Sequence, residues 1–147
     1  MFVEQMVPTA LKRLVTIRGD APLLEAAGLL GGAGTDLVVV CDAGQLLAGV
    51  ITRLDVVRQI SHCQGSGCAI AVSTVMTRPV TLCHPGDRVH DIWTVMKERR
   101  LKNIPVVGQD SRPIGVLNAR DALEILLEDA EYEEHLLRDY VMCVGYQ

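Results

Sequence analysis

Gly49-Val50-Ile51-Thr52-Arg53-Leu54-Asp55 recurs sixty-six residues later as Gly115-Val116-Leu117-Asn118-Ala119-Arg120-Asp121. Glycine, valine, an aliphatic residue, a small polar residue and aspartate return in the same order. A recurrence at fixed spacing marks duplicated units, and it is the first signal to seek because it sets the whole topology. Working outward, Val15-Thr16-Ile17 matches Val80-Thr81-Leu82 at an offset of 65, and Gly19-Asp20 matches Gly86-Asp87 at 67. Leu37-Val38-Val39-Val40 matches Ile104-Pro105-Val106-Val107, also at 67. Four anchors in one order, with a drift of one or two residues, define two copies of one unit. The first copy spans residues 8–60, the linker 61–72, the second copy 73–130 and a C-terminal extension 131–147.

Each copy reads as strand, helix, strand, strand, helix. Val15–Ile17 and Val80–Leu82 are short extended stretches. Asp20 and Asp87 are expected to open the next helix, because aspartate accepts from free amides at an N-cap and Pro22 suits a first turn. Val89, Ile92, Trp93 and Met96 follow the spacing of a helix with one buried face. Leu37–Cys41 and Leu46–Thr52 are β-rich runs around the turn residues Asp42-Ala43-Gly44. Ile104–Val107 and Ile114–Leu117 repeat that hairpin, and a second helix is expected after Asp55 and Asp121. The linker is rich in Ser, Gly and Cys. Leu123, Leu126, Leu127, Ala130, Leu137 and Val141 continue a helical spacing into the extension, broken at Glu133-Glu134. The fold class is mixed α/β, of the α+β kind.

Composition narrows the function. The 147 residues are 49% hydrophobic, enough for a core. A net charge of -4 and 3% aromatics disfavour nucleic acid, which requires a basic surface or a stacking platform. No apolar run reaches the ~18 residues of a membrane span, and Glu4 and Pro8 interrupt any secretory apolar stretch, so a cytoplasmic protein is expected. Five cysteines without a pairing rhythm read as free thiols. His62-Cys63, Cys68 and Cys83-His84 are too loosely spaced for a zinc set, and no metal is expected. No nucleophile is paired with a base, so no enzyme is expected. Residues 124–139 hold seven acids against Arg138, a solvated face or a docking surface for a basic partner. Lys97, Arg99, Arg100 and Lys102 form a basic patch: a helix end satisfied by its own dipole, or the phosphate-facing edge of a second-copy site.

The recurring segment itself suggests chemistry. A strand that ends near glycine and turns into a helix presents free amides and a positive dipole end to an anion. Thr52 can donate to a phosphate and Arg53 can add charge-assisted hydrogen bonds. Asp55 can accept from both hydroxyls of a ribose. Asn118, Arg120 and Asp121 repeat the set, with asparagine replacing the hydroxyl. The same spacing also describes a simple helix cap.

The β-α-β-β-α order, the duplication and the Gly-hydrophobic-x-Thr/Ser-x-x-Asp segment together resemble the CBS-domain family, in which two domains pair as a Bateman module. The resemblance covers nearly all of residues 3–130. It implies a free-standing regulatory pair that binds an adenine nucleotide, AMP foremost, with ATP, ADP, NAD or S-adenosylmethionine as alternatives. It implies that Thr16 and Thr81, with Leu37–Val38 and Ile104–Pro105, border the base. Val38 standing where the other copy has Pro105, and Asn118 where Thr or Ser is usual, distinguish the two sites. The second copy, with Pro105 and the basic patch nearby, is expected to bind the tighter. The resemblance further implies a homodimer and a downstream protein target that the sequence does not name. A ligand-free dimerisation adaptor, its aspartates merely capping helices, is the competing class.

Overall fold

The computed structural model describes residues 1–32, 35–62 and 69–145, with side chains described as far as residue 141. The first copy contains β1 (Thr16–Arg18), α2 (Leu23–Leu30), β2 (Leu37–Cys41), β3 (Leu47–Thr52) and α3 (Arg53–His62). The second contains α4 (Val89–Arg99), β4 (Asn103–Val107), β5 (Pro113–Asn118) and α5 (Ala119–Gly145). A 3-10 turn (Val3–Met6) and α1 (Val7–Arg13) precede them, and another 3-10 turn (Val72–Thr74) lies between. The expected mixed α/β repeat is therefore present.

The hairpin registers remove the drift seen in the sequence. Leu37 pairs with Thr52 and Val38 with Ile51, while Asn103 pairs with Asn118 and Ile104 with Leu117. Val38–Cys41, not Leu37–Val40, is therefore equivalent to Ile104–Val107, and Val39, not Val38, stands where the second copy has Pro105. The helices obey the same offset of 66, with Leu23 and Val89 each opening one. So do the positive φ values of Gln45 (64°) and Ser111 (63°) at the two hairpin turns.

Pro105 also explains why the strand expected at Val80–Leu82 is missing. In the first sheet the Val39 amide donates to Val15 O at 2.9 Å and β1 runs parallel to β2. Proline has no N–H for that rung. What remains is a single parallel bridge at Cys83, whose amide donates to Pro105 O at 3.0 Å.

Three other expectations are corrected. Asp20 and Asp87 do not cap helices: the N-caps are Pro22 and Arg88. Asp20 pairs with Arg18 at 3.0 Å, and Asp87 accepts from the His84 amide at 2.8 Å, closing a turn instead. The second helices begin at Arg53 and Ala119, two residues before the aspartates. Finally, α5 runs unbroken through Glu133-Glu134. Glutamate is a good helix former, and the exposed Glu134 pairs with Arg138 one turn on, at 3.2 Å.

All of β2 is buried, and its side chains alternate between two cores. Val38 and Val40 join α2 and α3 in one core, whereas Leu37, Val39 and Cys41 meet Val50 and Val116 at a seam between the two sheets. Ile104, Val106 and Leu117 form the second core, with Val89, Ile92, Met96 and Ala122. That core also contains Val3, Met6 and Ala10 from the start of the chain. The crossing is reciprocal. The Val3 amide donates to Asp87 O at 2.9 Å and the Val89 amide to Met1 O at 3.0 Å. Equivalently, the Val72 amide donates to Ala21 O at 2.9 Å and the Leu23 amide to Ile70 O at 2.8 Å. The segment preceding each copy thus completes the other copy.

The glycine of the recurring segment makes room for this crossing. A Cβ on Gly115 would lie 2.7 Å from Ala10 Cβ and 2.8 Å from the Ala10 backbone carbon. A Cβ on Gly49 would meet the Met76 side chain, Sδ at 2.6 Å and Cγ at 2.9 Å, which can turn away more easily than backbone, and Thr77 O only at 3.1 Å. Gly115→Ala should therefore cost about 1–3 kcal/mol in urea unfolding, because α1 must back off, and Gly49→Ala should cost less. Equal losses would contradict this packing.

Candidate functional site

Each recurring segment ends a strand and starts a helix, so its polar side chains meet free helix-start amides. In the first copy the Asp55 amide donates to Thr52 Oγ1 at 3.4 Å and the Thr52 amide donates to Asp55 Oδ2 at 3.0 Å. This reciprocal pair is a capping box. Thr77 Oγ1 adds a further donor to Asp55 Oδ1, at 3.0 Å. In the second copy Asn118 Oδ1 accepts from the Arg120 amide at 2.9 Å, and Asn118 Nδ2 donates to Asn103 Oδ1 at 3.0 Å. Asp121 is held quite differently: Arg13 Nε donates to Oδ2 at 2.6 Å and Arg13 Nη2 to Oδ1 at 3.1 Å. That hydrogen-bonded carboxylate raises the pKa of the Arg13 guanidinium above its ordinary value, against the effect of burial.

A cleft of about 490 Å³ opens between the copies, at the end of β2 and β3 that carries this motif. Leu37, Thr52 and Arg53 line it from the first copy, and Arg100, Lys102 and Asn103 face them from the second. The volume falls in the range of small-molecule sites. Two expected residues thus join a third, and the basic patch is split. Arg100 and Lys102 stand across from Thr52 of the first copy, at the other copy's site from the one expected. Lys97 lies over the Trp93 ring at 5.9 Å, and Arg99 donates to Thr81 Oγ1 at 2.8 Å. Asn103 is the residue the sequence pattern does not single out, because only the hairpin register makes it the counterpart of Leu37.

Other expected residues lie elsewhere. Val38 and Ile104 are fully buried in the helix-facing cores and turn away from the cleft, and Pro105 is buried. Arg53 is engaged at the end of α2: Nε donates to Leu30 O at 2.8 Å, and Nη1 pairs with Asp36 at 3.0 Å. Arg120 is exposed, 4.0 Å from Glu124. Thr16 lines a larger cleft of about 860 Å³ at the opposite, hairpin end of the sheet, near Arg18, Asp42 and Arg112. The charges there are mostly paired internally, Arg18 with Asp20 and Arg112 with Asp110, each at 3.0 Å.

Cys41 and Cys83 are buried, and burial raises both thiols, Cys83 to about 12. Cys63 and Cys68 of the linker lie outside the described residues. Among those described, no three His, Cys, Asp or Glu side chains gather as a metal set, and no helix is long and apolar enough to cross a membrane.

The sequence profile of the CBS domain matches residues 5–62 and again residues 72–128. The chain belongs to the CBS-domain family. Among curated proteins, this CBS pair is 31% identical over 101 residues to arabinose 5-phosphate isomerase GutQ of Shigella flexneri, covering 69% of the chain and 31% of that protein. It is 27% identical over 101 residues to homoserine O-acetyltransferase of Methanosphaera stadtmanae, covering 69% of the chain and 20% of that protein. The pair therefore spans about a fifth to a third of these relatives. Among solved structures, the CBS-domain containing protein ATU1752 from Agrobacterium tumefaciens superposes with a TM-score of 0.73 at 26% identity, over 85% of this chain and 98% of that one. The CBS pair of protein MJ0100, in complex with 5-methylthioadenosine and S-adenosyl-L-methionine, gives 0.72 at 21% identity, over 88% and 98%. CBSX2 in complex with AMP gives 0.69 at 19%, over 81% and 91%.

The buried thiols yield a pH dependence. A thiol whose folded value is raised favours folding below its unfolded value, about 8.5, and loses that contribution as pH rises toward about 12. Between these limits stability should fall by up to ~1.4 kcal/mol per pH unit from Cys83 alone. Chemical denaturation from pH 8.5 to 11 should show a shallower decline for Cys83→Ala than for the parent chain. Parallel declines would mean that Cys83 reaches solvent.

Proposed function

We propose that this CBS pair is a regulatory, non-catalytic module that binds an adenine nucleotide, AMP foremost, in the cleft between its copies. The observation that carries the reading is the convergence of Thr52 and the start of α3 with Arg100, Lys102 and Asn103 of the other copy around one cleft. A phosphate there meets a hydroxyl, free helix-start amides and two cations. A ribose hydroxyl replaces the Thr77 hydroxyl at Asp55, exchanging one neutral donor for another. Because the ligand touches both copies, its binding biases their relative packing, which a partner protein can read. The AMP complex of CBSX2 supports this ligand class, and the 5-methylthioadenosine and S-adenosyl-L-methionine complex of MJ0100 supports its adenosine part.

The adaptor reading retains one specific observation: both aspartates are already satisfied within the protein, Asp55 by its capping box and Asp121 by Arg13. Calorimetry with AMP separates the two. The regulatory reading expects Asp55→Ala and Lys102→Glu each to weaken AMP binding at least tenfold. It also expects AMP to stabilise the chain by about 2.7 kcal/mol at a hundredfold excess over Kd. No change in melting temperature with AMP, ATP, ADP, NAD or S-adenosylmethionine at millimolar concentration leaves the adaptor. In both readings the module is a homodimer, with light scattering giving twice the 16.0 kDa chain mass. A single chain mass across micromolar concentrations would oppose that.

A further inference from the structure

We infer that Arg13 latches the second copy's nucleotide site shut, so that the two copies of this chain bind unequally and the first is the one occupied. The inference deepens the nucleotide reading above and rests on it. Its basis is the difference in what holds the two equivalent aspartates. Among the described residues, every donor to Asp55 is a neutral hydroxyl or amide from Thr52 or Thr77. A sugar hydroxyl exchanges with such a donor at little cost. Asp121 instead accepts two hydrogen bonds from one guanidinium, and its side chain is only 17% exposed. A ligand that needs this carboxylate must first part a bidentate ion pair, whose charge-assisted hydrogen bonds are stronger than those between neutral groups.

The latch is held in place by the fold. Arg13 ends α1, and α1 is pinned to β5 where Ala10 lies against Gly115. Among the described residues no guanidinium guards Asp55, and the segment crossing the first sheet supplies Thr77 at its end. The second copy also carries Asn118 in place of the hydroxyl, and Asn118 is tied to Asn103 and the Arg120 amide. Apparent affinity falls by the fraction of molecules whose latch is open. A latch open in about one molecule in ten to one in a hundred makes the second site about ten to a hundred times weaker than an unlatched one.

The test is AMP calorimetry on the full chain and on Arg13→Gln. The parent should bind one AMP per chain and Arg13→Gln two. The double variant Arg13→Gln/Asp121→Asn should return to one, because the uncovered carboxylate is gone. If Arg13→Gln melts below the assay temperature, Arg13→Lys takes its place with the same expected counts, since lysine cannot make the forked contact. A parent that already binds two, a variant that still binds one, or a variant that binds none overturns the latch while leaving nucleotide binding intact. No heat from the parent or the variant, with AMP, ATP or S-adenosylmethionine, removes the nucleotide reading itself, and the latch with it.

Discussion

Ala10 rests on Gly115, and Met76 and Thr77 rest on Gly49. From these two close approaches most of the molecule follows. Each lets the segment ahead of one copy lie flat across the sheet of the other. The first residues of the chain can then fill the second core with Val3, Met6 and Ala10, while Val72 fills the first. Backbone hydrogen bonds at the two crossings use equivalent atoms of the two copies. Neither copy has a closed core without its partner's leading segment. With the sheets also meeting at Leu37, Val39, Cys41, Val50 and Val116, the copies are locked into one body. A cleft between them is a consequence of that locking, since the ends of β2 and β4 are brought face to face.

The same crossings shape the chemistry. Because α1 and residues 72–77 pass beside the helix starts, they deliver Arg13 to Asp121 and Thr77 to Asp55. An ancestral repeat would give both aspartates one environment. The two crossing segments bring different side chains, Arg13 and Thr77, and so give one an ion pair and the other a hydroxyl. A charged partner and a neutral partner differ greatly in how easily a ligand displaces them, so two sites built from one motif need not behave alike.

Much of this was legible in the residues. The duplication, the hairpins at Asp42 and Asp110, and the helix that carries Ile92 and Met96 all follow from local pattern, as does the placing of Leu37 and Thr52 at the strand end that borders the cleft. The misplaced pieces share a cause. Aligning Leu37 with Ile104 follows apolar similarity, but polar Asn103 is the true counterpart, because pairing with Asn118 sets the register. A shift of one residue turns a strand over, so Val38, a cleft wall by the apolar alignment, faces the core. Asp20 and Asp87 look like helix caps by type and place, yet turns claim them first. The partners of Asp55 and Asp121 were illegible for another reason. Arg13 lies 108 residues from Asp121 in sequence, and only the reciprocal crossing brings them together.

The central claim, that the cleft at Thr52 is where this CBS pair takes an adenine nucleotide, is tested most directly by backbone amide NMR during an AMP titration. The account predicts the largest saturable shifts at residues 36–37, 52–55 and 100–103, at the Thr52 end of the sheet. Shifts centred instead on Arg18, Asp42 and Arg112 at the hairpin end, or none at millimolar AMP, would contradict it.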